Sequence, residues 1–153
     1  MKEVGTPTEL QRWLKRASNG EVAVLAGDRW EKEIWGRPES LISQKNNRLI
    51  RKRDGAVLFS GSFDDWDSWG SNFIVQVGDT FLYNGKRILC QGVSFDEWRA
   101  HPLGLIGRKD NKLLLNGETI LFEVEGRECY YSWCSHPNSV IIQNERTLLV
   151  VWR

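Results

Sequence analysis

Short apolar runs alternate with short polar runs that carry turn residues, and the alternation begins after residue 18. From there a turn signal interrupts the apolar runs every 4 to 8 residues, and the runs are rich in Val, Ile, Leu, Phe, Tyr and Trp. Apolar runs of this length, bounded by Asn, Asp and Gly, are typical of β-strands joined by hairpins. The pattern predicts an almost entirely β structure for residues 19–153.

A helical pattern precedes the strands. In "TPTELQRWLKRASNG", Thr6 can cap the helix, Pro7 suits the first helical position, and Glu9 completes a capping box. Three apolar side chains fall on one face: Leu10, Trp13 and Leu14. We therefore predict a short N-terminal helix within residues 1–18 that caps the β structure with an apolar stripe.

The turn signals recur with a period near 32 residues. One series consists of Asn-Gly or Asp-Gly pairs at spacings of 35, 30 and 32: Asn19-Gly20, Asp54-Gly55, Asn84-Gly85 and Asn116-Gly117. Such pairs favour a type I′ hairpin turn, in which both central residues need a positive φ. A second turn series keeps nearly the same period: Asn46-Asn47, Gly78-Asp79, Asp110-Asn111 and Asn144-Glu145. A Trp series does so too: Trp35, Trp66, Trp98 and Trp133. A fixed period of this length is the signature of a repeat array or a propeller.

Each repeat is predicted to be a β-meander. One copy contains three strands, "FIVQV", "TFLY" and "RILCQ", followed by a Trp-bearing segment, "FDEWR", as the candidate fourth strand. The third strand is almost continuously apolar in every copy, so we expect it to be covered on both faces. Stacked or radially arranged sheets meet that expectation, whereas a single one-sided sheet does not.

The two ends of the chain each supply part of one repeat. Residues 139–153 contain the first two strands of a repeat, and residues 19–38 contain a third strand and a Trp segment. Pairing of residues 146–152 with residues 21–26 would complete that repeat and remove two open sheet edges. The sequence therefore predicts four repeats in a ring that closes without a covalent link.

The Trp-ended meanders and the joining of the chain ends resemble β-propellers over residues 19–153. The resemblance implies a compact four-bladed, propeller-like ring with a short N-terminal helix, in a single domain over residues 1–153. Units near 32 residues are shorter than the roughly 40–45 residues of WD40 blades. A closed barrel or a sandwich of three-stranded units therefore stays open as the alternative.

Composition argues against several classes of function. The chain has 21 Lys and Arg against 20 Asp and Glu, a formal charge of +1, so no global field attracts nucleic acid or a membrane. A basic stretch offers too few phosphate contacts for a nucleic-acid site: Arg48, Arg51, Lys52 and Arg53. The chain shows no signal peptide and no apolar run of membrane-spanning length, and it has three Cys. We predict a cytoplasmic protein with reduced thiols.

The motifs favour a protein that is not an enzyme and holds neither a cofactor nor a metal. The patterns of nucleophilic serines, phosphate-binding loops, zinc proteases and Cys-x-x-Cys sites are absent from the sequence. The segment "DDWDSWG" places Asp65, Asp67 and Gly70 at positions of a calcium loop. Gln76 stands where that loop requires a bidentate Glu, so we interpret the segment as an acidic turn.

Function is expected where the repeats differ. The periodic Trp residues recur in every repeat and are predicted to pack in the core or between repeats. The residue before the Pro or Gly that precedes each first strand varies instead: Arg37, Trp69, His101 and His136. Polar residues follow them, among them Asn72 and Asn138. We predict that these six residues form a binding face at the end that carries the Asx-Gly turns.

Three classes of function fit this interpretation. The favoured hypothesis is a non-catalytic protein-binding or inhibitory module, such as a small bacterial accessory or immunity-type protein, with a protein as its partner. The alternative is a carbohydrate-binding lectin, in which Trp rings stack on sugars. A third hypothesis is an enzyme or metal site built from His101 and His136, the two histidines of the chain.

Overall fold

The computed structural model describes residues 2–26, 39–123, 132–136, 139–143 and 147–153. The elements in chain order are β1 (Lys2–Val4), α1 (Pro7–Leu14), β2 (Val22–Leu25), β3 (Ile42–Lys45), β4 (Arg48–Arg51), β5 (Val57–Ser60), β6 (Asp65–Trp69), β7 (Asn72–Val77), β8 (Thr80–Tyr83), β9 (Arg87–Gln91), β10 (Glu97–His101), β11 (Gly104–Lys109), β12 (Lys112–Leu115), β13 (Thr119–Glu123), β14 (Ser132–His136), β15 (Ser139–Gln143) and β16 (Thr147–Val151). The described residues are therefore mostly β with one short helix, as predicted.

The strands form four sheets. Their strand orders are β1-β2-β16-β15-β14, β3-β4-β5, β6-β7-β8-β9 and β10-β11-β12-β13. The chain divides into two compact units, one of residues 1–37, 110–112 and 120–153 and the other of residues 38–109 and 113–119. Within the described residues the strand pairings do not make a closed ring. The described strands form four separate sheets.

The Trp-bearing strands β6 and β10 each begin a sheet instead of ending one. Trp66 lies on β6, which pairs antiparallel with the following strand β7, and Trp98 lies on β10, which pairs with β11. The Trp segment was predicted to be the fourth strand of the sheet that precedes it in the chain. That prediction was wrong, because the segment is the first strand of the next sheet. The physical reason is the two-residue turn that joins β6 to β7, because such tight turns join antiparallel partners directly.

The first unit joins residues from both ends of the chain in one sheet. Strand β16 lies between β15 and β2, with Thr147 opposite Leu25 and Val150 opposite Val22. This is the pairing that the sequence predicts between residues 146–152 and residues 21–26. Strand β1 adds to the other edge of β2 in parallel. The sequence did not predict β1, because three residues carry too little periodic pattern.

The helix covers the same sheet. Its start is capped as predicted, since the Glu9 N–H donates a hydrogen bond to the Thr6 hydroxyl at 3.2 Å and Pro7 occupies the first turn. The buried cluster of this unit contains Val4, Leu10, Ala17, Ala23, Leu25, Ile141, Leu149 and Val151. Trp13 and Leu14 pack against that cluster. The predicted apolar stripe is therefore the surface by which α1 is attached.

In the second unit the sheet β6-β7-β8-β9 has an apolar cluster on each face. One cluster contains Ile42, Leu49, Phe73 and Val75. The other contains Ile74, Phe81, Cys90, Ala100 and Leu105. Neighbouring residues of a strand point to opposite faces, so β7 contributes Phe73 and Val75 to one cluster and Ile74 to the other. Strand β7 is thus covered on both sides by the sheet β3-β4-β5 and by β10 and β11.

The third strand of the repeat is less buried than predicted. Val57 on β5, Ile88 on β9 and Ile120 on β13 are 53%, 56% and 47% exposed. These strands lie at the edges of their sheets. The exposed side chains show that the continuous apolar run did not indicate coverage of these strands on both faces. Strand β7, which lies inside its sheet, is covered on both faces.

Candidate functional site

The candidate site is one end of the sheet β6-β7-β8-β9, where the chain turns at residues 70–71. The Asn84 side-chain N–H group donates a hydrogen bond to Oδ1 of Asn72 at 3.3 Å, and Trp69 lies opposite Asn72 in the β6-β7 pair. The Asn84-Gly85 turn and the turn at 70–71 therefore lie together, as predicted for this sheet. We call this surface the turn face and define it as Trp69, Ser71, Asn72, Asn84 and His101.

The side chain of Asn84 fixes the local shape of the turn face. Asn84 and Gly85 have φ values of 52° and 72°, as a type I′ turn requires. The Asn84 N–H donates to the carbonyl oxygen of Phe73 at 2.7 Å, and Asn84 Oδ1 accepts from the Phe73 N–H at 2.9 Å. The turn is thereby tied to the start of β7 by two hydrogen bonds.

The same arrangement recurs one repeat later. Asn116 has a φ of 52°, donates its N–H to the Leu105 carbonyl oxygen at 2.7 Å and accepts from the Leu105 N–H at 2.9 Å. At the other two Asx-Gly pairs only the glycine, Gly20 or Gly55, has a positive φ. The type I′ prediction was therefore wrong at these two pairs.

Trp69 and His101, two residues of the predicted binding face, are in contact. Their ring centroids lie 5.8 Å apart with the ring planes at 44°. His101 is the last residue of β10 and is 2% exposed, and its Nδ1 accepts a hydrogen bond from the Leu103 N–H at 3.1 Å. His101 is therefore buried at the end of a strand, whereas a residue of a binding face was expected to be exposed. The turn at 102–103 is so tight that the imidazole is held within the hairpin.

The structure describes only some of the six residues of the predicted binding face. Trp69 is half-buried and packs against the cluster that contains Phe81, whereas Asn72 is exposed. His136 ends β14, where it pairs with Ser139, and its side chain lies outside the described part of the chain. Arg37 and Asn138 also lie outside the described residues. The structure thus brings Trp69, Asn72 and His101 to one end of the second unit.

Trp66 and Trp98 connect successive sheets, in agreement with the predicted structural role, whereas Trp35 lies outside the described residues. The Trp66 indole N–H donates to Oε1 of Gln44 at 2.9 Å, and the Trp98 indole N–H donates to Oε1 of Gln76 at 3.3 Å. Sequence reasoning missed both glutamines. A signal was present, because Gln44 and Gln76 are separated by the same 32 residues as Trp66 and Trp98.

A cavity of about 530 Å³ lies next to the turn face. Its described lining consists of Leu41, Ile42, Arg51, Lys52, Arg53, Leu58 and Ser71. The Leu41 N–H donates to the Gly70 carbonyl oxygen at 3.4 Å, and the Lys52 N–H donates to the Leu41 carbonyl oxygen at 3.0 Å. Sequence reasoning considered the basic stretch as a nucleic-acid site. It missed the cavity because the lining comes from separate segments that only folding brings together.

An ion pair fixes one of the cations at this cavity. Nε and a terminal nitrogen of Arg51 donate to the two carboxylate oxygens of Asp54 at 3.0 and 2.8 Å. The hydrogen bond from Arg51, together with one from the Ala56 N–H, lowers the pKa of Asp54 to about 2. Asp54 therefore remains ionised at all but very acidic pH.

The segment that matched part of a calcium loop is strand β6 and not the acidic turn that the sequence predicted, because its residues pair with β7. Two of its carboxylates accept hydrogen bonds within the fold. Asp67 Oδ2 accepts a hydrogen bond from the Ala100 N–H at 2.7 Å, and Asp65 Oδ1 accepts from the Trp66 N–H at 2.8 Å. Across the described residues, no group of three His, Cys, Asp or Glu side chains is placed to hold a metal ion.

Burial, followed by the charge of Glu118, raises the pKa of the Cys90 thiol.

Comparison of this chain with protein-family models, with curated proteins and with solved structures gave no match. In the part of the chain that the structure describes, no helix has the length and apolar character needed to cross a membrane. The cytoplasmic location stays a prediction from the sequence.

Proposed function

We propose that the protein is a non-catalytic binding or inhibitory module that presents the turn face to a protein partner. The observation that carries the proposal is the contact between Trp69 and His101, which occupy the variable position of two successive predicted repeats. The buried His101 imidazole supports the half-buried Trp69 ring, and Trp69 is the one of the two that a partner can reach. Next to them lies the exposed Asn72. Aromatic side chains surrounded by polar residues are typical of contact surfaces between proteins.

The rigidity of the turns supports the same proposal. Asn84 makes two hydrogen bonds to Phe73 on β7, and Asn116 makes two to Leu105 on β11, so the backbone there is ordered before any partner binds. A surface that is already ordered loses less conformational entropy on association. A rigid scaffold with varied residues at one end suits recognition of one asymmetric partner.

We also propose that the four sheets are blades of one closed, propeller-like ring in a single domain over residues 1–153. Support comes from the Trp-first strand order, from the stacking of sheets in the second unit and from the pairing of β16 with β2. A single cooperative unfolding transition, seen alike by calorimetry and by tryptophan fluorescence, is expected. Two separate transitions would contradict the ring.

The binding proposal is tested by blocking the turn face without disturbing the core. Asn72 and Val77 are the exposed first and last residues of β7, so Asn72→Arg blocks the turn face and Val77→Arg is its matched control at the opposite end. Trp69→Ala is less suitable, because Trp69 also packs against a buried cluster. Both arginine variants should keep the melting temperature of the parent.

The readout is capture of a protein by the immobilised chain, followed by calorimetry with that purified protein. We expect the parent and Val77→Arg to bind it equally and Asn72→Arg to lose at least about tenfold in affinity. Equal binding by all three proteins would refute the proposal. Saturable binding on a glycan array that Asn72→Arg abolishes would replace it with the lectin hypothesis.

A further inference from the structure

We infer that the cavity beside the turn face binds a small amphiphilic anion, meaning a carboxylate, sulfate or phosphate group carried by an apolar chain. The cavity is the one lined by Leu41, Ile42, Arg51, Lys52, Arg53, Leu58 and Ser71. The inference concerns a small molecule, so it does not depend on the proposed protein partner.

The size and the apolar part of the lining suit an organic ligand. A volume of about 530 Å³ falls within the range of roughly 300–1,000 Å³ that is typical of small-molecule sites. Ile42 is buried, Leu58 packs against the same cluster as Ile42, and Leu41 is 52% exposed. An apolar chain lying on Leu41 and Leu58 removes apolar surface from water, which favours binding.

The charged part of the lining selects the sign of the ligand. Three cations line the cavity, Arg51, Lys52 and Arg53, and no acidic residue is among the described lining residues. The carboxylate of Asp54 offsets one of these charges through its ion pair with Arg51. Two further positive charges remain, so an anionic head group is attracted and a cationic one is repelled.

The cationic and apolar parts are held next to each other by the backbone. The hydrogen bond from the Lys52 N–H to the Leu41 carbonyl oxygen fixes the basic turn beside the apolar rim, and Arg51 is fixed by Asp54. A ligand with a head group and a tail can therefore contact both parts at once. A bare anion would lose the apolar contact, and a neutral hydrocarbon would lose the charge contact.

The test is a titration of the full chain with decanoate below its micellar concentration, followed by methyl NMR. We expect saturable one-to-one shifts at Leu41, Ile42 and Leu58, and much weaker shifts with acetate, inorganic phosphate or decyltrimethylammonium. Equal shifts from the cationic amphiphile would overturn the inference, as would the absence of saturable shifts at these methyl groups with decanoate.

Two charge-reversal variants make the test specific to the cavity. Lys52→Glu with Arg53→Glu should weaken decanoate binding at least about tenfold, because two attractions become repulsions. Lys45→Glu with Arg48→Glu makes the same charge change at the opposite ends of β3 and β4 and should leave binding unchanged. Equal weakening by both pairs would show a general charge effect and refute the site.

The source of the anionic group is distinguished by a second arm with vesicles of anionic lipid. In the arm with free decanoate, Leu41→Ser should weaken binding, because it removes part of the apolar lining of the cavity. If vesicles bind while free decanoate does not, the protein recognises a charged lipid surface and the cavity inference fails. If decanoate binds and vesicles do not, the ligand is a free amphiphile, as we infer.

Discussion

The side chain of Asn19 makes two hydrogen bonds to the backbone of Arg153. The Arg153 N–H donates to Oδ1 of Asn19 at 3.0 Å, and Nδ2 of Asn19 donates to the Arg153 carbonyl oxygen at 3.2 Å. Beside them, the Gly20 N–H donates to the Val151 carbonyl oxygen at 2.8 Å. Together with the pairing of β16 and β2, these bonds make the last strand an integral part of the first sheet.

Removal of residues 139–153 should therefore unfold this sheet and not merely shorten it. The deletion takes away β15 and β16, whose residues Ile141 and Leu149 are fully buried, and opens an edge of β2. We expect loss of the cooperative thermal transition in circular dichroism. Asn19→Ala, which removes only two exposed hydrogen bonds, should cost about 1 kcal/mol. A truncated monomer with the parent's melting profile would contradict this prediction.

Asn84→Ala should lower the free energy of unfolding by about 2–3 kcal/mol. Alanine at a φ of 52° is strained by roughly 1–2 kcal/mol, and the bond from the Phe73 N–H is also lost, at about 1 kcal/mol. Asn84→Gly relieves the strain and should recover about half of the loss. Urea denaturation measures both variants. Equal losses for Ala and Gly would show that backbone strain has no part in the effect.

Trp98→Ala should cost about 3 kcal/mol, because the ring packs edge-on against Phe81 at 5.2 Å and is only partly exposed. Trp98→Phe keeps an aromatic ring at this position and should cost about 1 kcal/mol less than Trp98→Ala. It still loses the hydrogen bond from the Trp98 indole to Gln76, so some destabilisation remains. Trp69→Ala is expected to cost about 2 kcal/mol rather than the smaller loss of a surface residue. Chemical denaturation of the three variants gives the order, and a neutral Trp98→Ala would be inconsistent with it.

Gly107→Ala should destabilise the protein by about 2 kcal/mol through overcrowding. A Cβ at Gly107 would overlap the ring of Phe95, which packs on β11 at this point, and the residue lies opposite Trp98. Gly5→Ala is the matched control, because a Cβ there meets no atom within 4 Å. The double variant Gly107→Ala with Phe95→Leu should recover part of the loss. An unchanged melting temperature for Gly107→Ala would refute this packing.

The Asp54 carboxyl group should titrate with a midpoint of about 2, as measured by carboxyl NMR. The folded pKa lies below the ordinary value of about 4, so the carboxylate stabilises the fold above pH 4 and this contribution is lost as the pH falls towards 2. Arg51→Gln should raise the midpoint towards the ordinary value, because the hydrogen bond from Arg51 is the largest cause of the shift, while the retained bond from the Ala56 N–H keeps the midpoint below that value. A midpoint that stays at about 2 in this variant would contradict the assignment.

Two of the predicted Asx-Gly turns were correct because turns depend on local chemistry. Asn84-Gly85 and Asn116-Gly117 form the expected turns, since the preference of Asn and Gly for positive φ does not depend on distant residues. The same chemistry failed at Asp54-Gly55, where the ion pair of Asp54 with Arg51 accompanies a different turn. For the candidate site, the sequence indicated Trp69, Asn72 and His101 but misjudged the exposure of His101.

The sequence by itself determined the β class, the N-terminal helix, the period near 32 residues and the pairing of the two chain ends, since apolar patterning and turn residues carry that information locally. Only the tertiary structure decided which strand begins each sheet, which strands are buried on both faces and which side chains meet at the turn face. Those outcomes depend on contacts such as Trp69 with His101 and Gln76 with Trp98, whose partners are 32 and 22 residues apart. Local pattern does not encode such contacts, because they form only when the sheets pack against one another.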